Sequence, residues 1–161
     1  MPDSPTFLSE RLLHEGEKSI AFFQALSPEQ LSQEVYTEGS CWTSHQVLAH
    51  FATAEYSLRK LIENIAAGGT GSPEDFDINK YNERKVKESG ENSLPDLLEQ
   101  FRQNRQKTAA FVASLKPEDL QRQGRHPFLG ITSLAEIIKI IYRHNQIHQR
   151  EIRQELEKYE Q

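Results

Sequence analysis

The chain has 161 residues with a formal net charge of −5 at pH 7, and 36% of the residues are hydrophobic while 27% are charged. We expect residues 1–161 to form a single domain with one core. The acidic balance argues against nucleic-acid or anionic-membrane partners, and no apolar run approaches the ~20 residues that a membrane span needs. The single cysteine and the N-terminal residues, which lack a signal-peptide pattern, favour a cytoplasmic location.

Hydrophobic periodicity predicts four long helices and no strand. The first helix covers about residues 5–26. The second begins at Thr43, which forms a capping-box pattern with Gln46. The third begins at Ser93, and the fourth covers Leu134 to Tyr159.

A long segment, residues 67–92, joins the second predicted helix to the third. It exceeds the ~2–8 residues that usually connect neighbouring antiparallel helices, so it can cross from one end of a bundle to the other. Residues 78–88 within it are predicted to form a short helix across the bundle mouth. We interpret the segment as a plain linker, with a mobile cover over a pocket as the alternative.

The two halves of the chain contain an internal repeat at an offset of 89 residues. Residues 26–31 (LSPEQL) resemble residues 115–120 (LKPEDL), and the same offset places residues 43–44 on residues 132–133, where the next helix begins. A repeated helical hairpin explains both matches. Two hairpins that bury their apolar faces against each other form a four-helix bundle, so the sequence predicts an all-α fold with a long crossover.

Two histidines one helical turn apart lie in the fourth predicted helix. His144 and His148 fall on its apolar stripe between Ile141 and Ile152, so both imidazoles face the core. Burying them without partners would cost roughly 1–3 kcal/mol each. One transition-metal ion can satisfy both rings; the alternative is a core histidine bonded to a backbone carbonyl.

His50 is the third candidate ligand. It lies on the apolar stripe of the second helix, between Val47 and Ala54, and alone it would be interpreted as a core histidine. Together with His144 and His148 it gives three imidazoles from two helices. Zinc binds nitrogen at ~2.0–2.1 Å, and three protein ligands leave a position open for water or substrate, so the pattern predicts a catalytic metal site.

The other polar candidates are interpreted as structural or exposed. We expect His14 to be solvated, His45 to lie at the surface or at a pocket rim, and His126 to lie in a loop. Glu55 is interpreted as a surface carboxylate, with orientation of a metal ligand as the alternative. Cys41 is interpreted as a small buried thiol. The sequence assigns no general base.

The order and separation of three short segments resemble those of the DinB/YfiT-like family of metal-binding four-helix bundles. The segments are residues 42–51 (WTSHQVLAHF), 77–84 (DINKYNER) and 144–148 (HNQIH). The resemblance extends over about residues 8–156, and the segment with Asn79 and Asn82 is similar to that of the mycothiol-dependent maleylpyruvate isomerase branch.

This resemblance implies an up-down-down-up bundle, frequent homodimers, and a zinc or nickel ion on His50, His144 and His148. It implies no single reaction, because the relatives include thiol S-transferases, an isomerase and supposed hydrolases.

Two functional hypotheses are compatible with the sequence. In the first, the protein is a metal-dependent enzyme whose divalent ion activates a thiol or water against a small-molecule substrate. Transfer of a low-molecular-weight thiol cosubstrate is the preferred chemistry, and hydrolysis is the second. In the alternative hypothesis, the protein is a non-catalytic bundle, metal-stabilised or metal-free, that dimerises or binds a partner. The enzyme is favoured because structural zinc usually has four protein ligands and the sequence offers three.

Overall fold

The computed structural model describes residues 3–36 and 39–160 of the chain. In these ranges the elements are α1 (Pro5–Gln24), α2 (Pro28–Ser32), α3 (Ser44–Ala66), α4 (Ile78–Ser89), α5 (Leu94–Ala113), a 3-10 helix (Pro117–Gln121), β1 (Gln123–His126), β2 (Gly130–Ser133) and α6 (Leu134–Tyr159). The four predicted long helices are thereby confirmed as α1, α3, α5 and α6. The single domain expected over residues 1–161 stays a prediction, and residues 1, 2, 37, 38 and 161 lie outside the described part. None of the described helices is long and apolar enough to span a membrane.

The four long helices form the predicted four-helix bundle, in which α1 and α3 each contact both α5 and α6. Apolar side chains fill the bundle in two separate clusters, one around Leu12 and Ile137 and the other around Phe23 and Phe51. Along each helix, buried polar residues lie between the two clusters: Glu15 and Ser19, Glu55 and Arg59, Arg105 and Thr108, Asn145 and Gln149. We call these eight residues the polar layer. The up-down-down-up order of the helices stays a prediction.

Side-chain caps explain where the helices begin. Oγ1 of Thr43 accepts from the N–H of Gln46 at 3.2 Å, and Oε1 of Gln46 accepts from the N–H of Thr43 at 2.9 Å, which confirms the predicted capping box. Oγ of Ser93 accepts from the N–H of Asp96 at 3.3 Å at the start of α5. The capping residues predicted from the sequence therefore determine where these two helices begin.

The prediction that the chain contains no strand is wrong. Strands β1 and β2 pair in antiparallel register, with Gln123 opposite Ser133 and His126 opposite Gly130. The first half of the chain has a shorter version of this pairing, an antiparallel bridge between Glu34 and Thr43. The internal repeat therefore includes antiparallel pairing before the second helix of each hairpin, as a single bridge in the first half and as a strand pair in the second.

Equivalent backbone hydrogen bonds in the two copies of the repeat show how many residues separate matching positions. The N–H of Ser44 donates to the carbonyl of Gln33 at 3.1 Å, and the N–H of Leu134 donates to the carbonyl of Arg122 at 2.7 Å. The acceptors are 89 residues apart and the donors 90, so the second copy holds one additional residue in its hairpin.

The crossover is packed against the bundle and is not the plain linker that we expected. The predicted short helix is confirmed as α4, and the hydroxyl of Tyr81 is hydrogen-bonded to that of Ser57 on α3. Before α4, the N–H of Arg125 in β1 donates to the carbonyl of Thr70, and the N–H of Ser72 donates to the carbonyl of Arg125, both at 2.9 Å. The crossover thus joins the hairpin to α3.

A buried arginine links all four long helices within the polar layer. Arg105 on α5 donates to both carboxylate oxygens of Glu55 on α3 at 2.8 and 2.9 Å. It also donates to the carbonyl of Leu12 on α1 at 3.0 Å and to Oδ1 of Asn145 on α6 at 2.5 Å. Both charged side chains are 2% exposed, so the interpretation of Glu55 as a surface carboxylate is wrong.

We expect Arg105→Met to lower the free energy of unfolding by about 3–5 kcal/mol, because the Glu55 carboxylate stays buried after its partner is removed. Arg102→Met is the matched control, since Arg102 on the same helix is partly exposed and pairs with Glu99 at the surface. That substitution should cost less than about 1 kcal/mol. Chemical denaturation measures both values, and equal losses would contradict a special role for Arg105.

Candidate metal centre

Three imidazoles converge next to the polar layer. Nε2 of His144 on α6 lies 3.3 Å from Nε2 of His50 on α3 and 2.8 Å from Nε2 of His148 on α6. One ring nitrogen from each residue lies within 4.8 Å of the other two. Nitrogens bound tetrahedrally at ~2.0–2.1 Å from one ion are about 3.3 Å apart. The structure therefore brings together the three residues selected from the sequence, and their role as ligands stays a prediction.

Hydrogen bonds among the three rings cannot satisfy all of the nitrogens that face one another. Removal from water lowers the pKa of His50, His144 and His148 from 6.5 to about 3, so all three rings are neutral at pH 7. Each neutral ring carries one N–H, so Nε2 of His144 can form a hydrogen bond with only one of the two nitrogens that face it. A cation accepts lone pairs from all three nitrogens at once, so the donor set fits a metal ion.

Tyr36 and Glu151 determine the tautomer of His148. The hydroxyl of Tyr36 lies 2.5 Å from Nδ1 of His148 and donates to Oε1 of Glu151 at 2.8 Å. Because the phenol proton points to the carboxylate, the phenol oxygen accepts from Nδ1–H, and the lone pair of His148 remains on Nε2. Burial, reinforced by Glu151, raises the pKa of Tyr36 above its usual value, so this proton is retained.

Sequence reasoning missed Tyr36 and Glu151. Glu151 lies three residues after His148, one turn along the same helix, and this spacing was the available signal. Tyr36 lies in an irregular segment before the second long helix, where no periodic pattern indicates its contact with His148.

Two cavities meet at the three histidines. The first, of about 110 Å³, has mainly apolar walls that include Leu58, Leu61, Phe76 and Ile140. The second, of about 250 Å³, has more polar side chains in its walls, among them Tyr36, Ser40, Asn79 and Asn82, and we call it the polar cavity. His50 and His144 line both cavities. The side chains that line the two cavities are apolar, hydroxyl, amide or neutral aromatic groups, and the Glu151 carboxylate, 3.8 Å from Nδ1 of His148, does not line either cavity. The cavity walls therefore favour an uncharged ligand.

The remaining candidates lie in different surroundings. His14 is exposed, as expected, and Nε2 of His45 lies 2.8 Å from the carbonyl oxygen of Asn92. Cys41 is exposed, so its interpretation as a buried thiol is wrong. The prediction that His126 lies in a loop is wrong, because this residue ends β1, is buried and lines the apolar cavity.

Comparisons with known proteins agree with this architecture. Residues 11–152, most of the chain, match the family model of the DinB superfamily. Among solved structures, YfiT from Bacillus subtilis is similar, with a TM-score of 0.78 and 17% sequence identity over 96% of this chain and 87% of that chain. YfiT is described as a probable metal-dependent hydrolase with an unusual four-helix bundle topology. No curated protein matches the chain.

We expect Tyr36→Phe to release His148 from its fixed tautomer, because the substitution removes the oxygen that accepts from Nδ1–H. Long-range ¹H–¹⁵N correlation spectra of the metal-free protein should show His148 protonated on Nδ1 in the parent and as a mixture of tautomers in the variant. Tyr56→Phe is the control, since Tyr56 is 50% exposed. A parent protein with the proton of His148 on Nε2 would contradict the assignment.

Proposed function

Because the chain belongs to the DinB superfamily, we propose that it is a metal-dependent enzyme that holds one divalent ion on His50, His144 and His148 and hydrolyses a small uncharged substrate. The observation that carries the proposal is the set of three facing Nε2 atoms at the junction of two cavities. Three ligands leave a coordination position free for a reactant. The description of YfiT as a probable metal-dependent hydrolase supports the same class of reaction.

Zinc or nickel is the proposed ion, because imidazole nitrogen suits both metals. Such an ion supplies Lewis acidity and lowers the pKa of a coordinated water or thiol towards neutrality. The protein contributes three rings that desolvation keeps neutral, so no proton has to leave them before binding. Tyr36 and Glu151 hold His148 with its Nε2 lone pair towards the other two rings.

Hydrolysis becomes the first candidate reaction, ahead of the thiol transfer that the sequence favoured. Water needs no binding group besides the ion, whereas small thiols derived from cysteine also carry charged carboxylates. In the polar cavity, the carboxylates of such thiols would meet the neutral side chains of Ser40, Asn79 and Asn82, with no positively charged partner among these three. Its volume of about 250 Å³ supports thiol transfer as the second candidate, since a small thiol fits beside His148.

The proposal includes a small-molecule substrate and no nucleic-acid or membrane partner. A homodimer and a cytoplasmic location stay predictions from the sequence. The non-catalytic alternative stays open to the following two experiments, because a closed structural site would bind metal without turnover.

We expect the protein to bind about one equivalent of zinc or nickel per chain. His50→Ala, His144→Ala and His148→Ala should each weaken binding at least about 10-fold, because each removes one of three ligands. His14→Ala is the matched control, since this histidine is exposed and lies outside the cluster. Titration calorimetry and elemental analysis measure affinity and stoichiometry. Unchanged metal binding by His144→Ala would rule out the site.

We expect the zinc-loaded protein to hydrolyse neutral short-chain esters such as 4-nitrophenyl acetate, and to lose this activity after chelation or in His144→Ala. Release of 4-nitrophenol measures the rate, with His14→Ala as the control. The same preparations are assayed for metal-dependent transfer of cysteine to 1-chloro-2,4-dinitrobenzene. Transfer without ester hydrolysis would replace the first candidate reaction by the second, and metal binding without either activity would favour the structural alternative.

A further inference from the structure

His126 lies in the wall of the apolar cavity without belonging to the group of three histidines. It shares that wall with His50 and His144, and its side chain is almost completely buried. The proposed metal chemistry gives it no role. A buried polar ring in a mainly apolar wall needs a reason, because leaving its hydrogen-bonding groups without partners is unfavourable.

The hairpin loop fixes which nitrogen of His126 carries the proton. The N–H groups of Phe128 and Leu129 both donate to Nδ1, at 3.1 and 3.2 Å. A nitrogen that accepts hydrogen bonds carries no proton, and burial lowers the pKa of His126, so the ring is neutral. Its single proton is therefore on Nε2. Within residues 3–36 and 39–160, no hydrogen bond uses Nε2 of His126.

The backbone beside His126 is held on both sides. The N–H of Arg125 donates to the carbonyl of Thr70, and the carbonyl of Arg125 accepts from the N–H of Ser72. The side chain of Arg125 forms an ion pair with Glu74 at 2.9 Å. Gly71 has a φ of +88°, and a Cβ there would lie 2.5 Å from the backbone of Arg125, so only glycine permits this close approach. The N–H of His126 is thus presented from a fixed position.

We propose that His126 is a specificity-determining residue whose Nε2–H donates a hydrogen bond to an oxygen of the substrate in the apolar cavity. This inference rests on the proposed function for the position of the reacting group, and it names the substrate class. The substrate is an uncharged molecule with a carbonyl or ester oxygen and a compact hydrocarbon part. The cavity of about 110 Å³ is comparable with the ~150 Å³ cavities that hold benzene, so the hydrocarbon part is about the size of a six-membered ring.

The donor gives the cavity a chemical preference that its apolar walls lack. Contacts with Leu58, Leu61 and Ile140 bind any hydrocarbon of suitable size. A ligand without an acceptor leaves the N–H of His126 buried and unpaired, whereas a carbonyl oxygen satisfies it. The donor therefore strengthens the binding of ketones, aldehydes and esters and adds nothing to the binding of hydrocarbons of the same shape.

The test compares cyclohexanone with methylenecyclohexane, which has the same shape and no acceptor oxygen. Long-range ¹H–¹⁵N spectra of the full chain, metal-free and zinc-loaded, should show His126 protonated on Nε2, and cyclohexanone should shift this resonance. We expect the affinity for cyclohexanone relative to that for methylenecyclohexane to be about 3- to 10-fold higher in the parent than in a variant without the donor, as one net hydrogen bond predicts. Comparing the two proteins cancels the difference in hydration between the two probes.

Two substitutions separate the donor from the role of His126 in the loop. In His126→Asn, the side-chain oxygen can accept from the N–H groups of Phe128 and Leu129, so the hairpin is retained and the donor is lost. This variant should bind cyclohexanone about 3- to 10-fold more weakly than the parent does, while methylenecyclohexane should bind within about twofold of the parent. His126→Gln keeps an amide N–H on a longer side chain and should restore part of the affinity for cyclohexanone.

A parent protein with its His126 proton on Nδ1 would overturn the proposal, whether or not the variants fold. An affinity of folded His126→Asn for cyclohexanone equal to that of the parent would also overturn it, as would an equal loss of affinity for both probes. These readouts need neither a bound ion nor turnover. Failure of metal binding would therefore remove the proposed function while leaving the assignment of the donor to be judged on its own.

Discussion

The contact between α3 and α6 at the candidate site depends on the buried guanidinium of Arg105. It binds Glu55, five residues after His50 on α3, and Asn145, which directly follows His144 on α6. Leaving one partner of a buried ion pair without the other is costly, so packings that separate Arg105 from Glu55 are disfavoured. The Nε2 atoms of His50 and His144 lie 3.3 Å apart because this contact fixes the two helices next to them.

The polar layer lies between two apolar clusters, and this arrangement gives the site a rigid frame. Phe23 and Phe51 pack edge to face on one side, with ring centroids 5.4 Å apart, while Leu12 and Ile137 are fully buried on the other. Dense packing on both sides limits the rearrangements open to the polar side chains. The three imidazoles are therefore held close together even though their burial removes them from water.

Local patterns predicted the helices and the histidines, because both follow from the helical period and from capping within a few residues. Thr43 illustrates this, since its partner Gln46 is three residues away. The contact of Tyr36 with Glu151 joins residues 115 positions apart, and neither has a local signature of it. The β-hairpin was missed because strands of four residues give little periodicity. The bridge between Glu34 and Thr43 occupies the equivalent place in the first half of the repeat.

The crossover contributes more to the cavity walls than its composition suggested. It supplies Phe76 to the apolar cavity, Asn79 to the polar cavity and Asn82 to both. The same segment fixes the hairpin that carries His126, through the backbone of Arg125. The three histidines belong to α3 and α6, whereas the crossover and the hairpin complete the cavity walls beside them. Under the proposed function, metal binding and ligand selection depend on different residues, so a helical metal motif by itself does not specify a reaction.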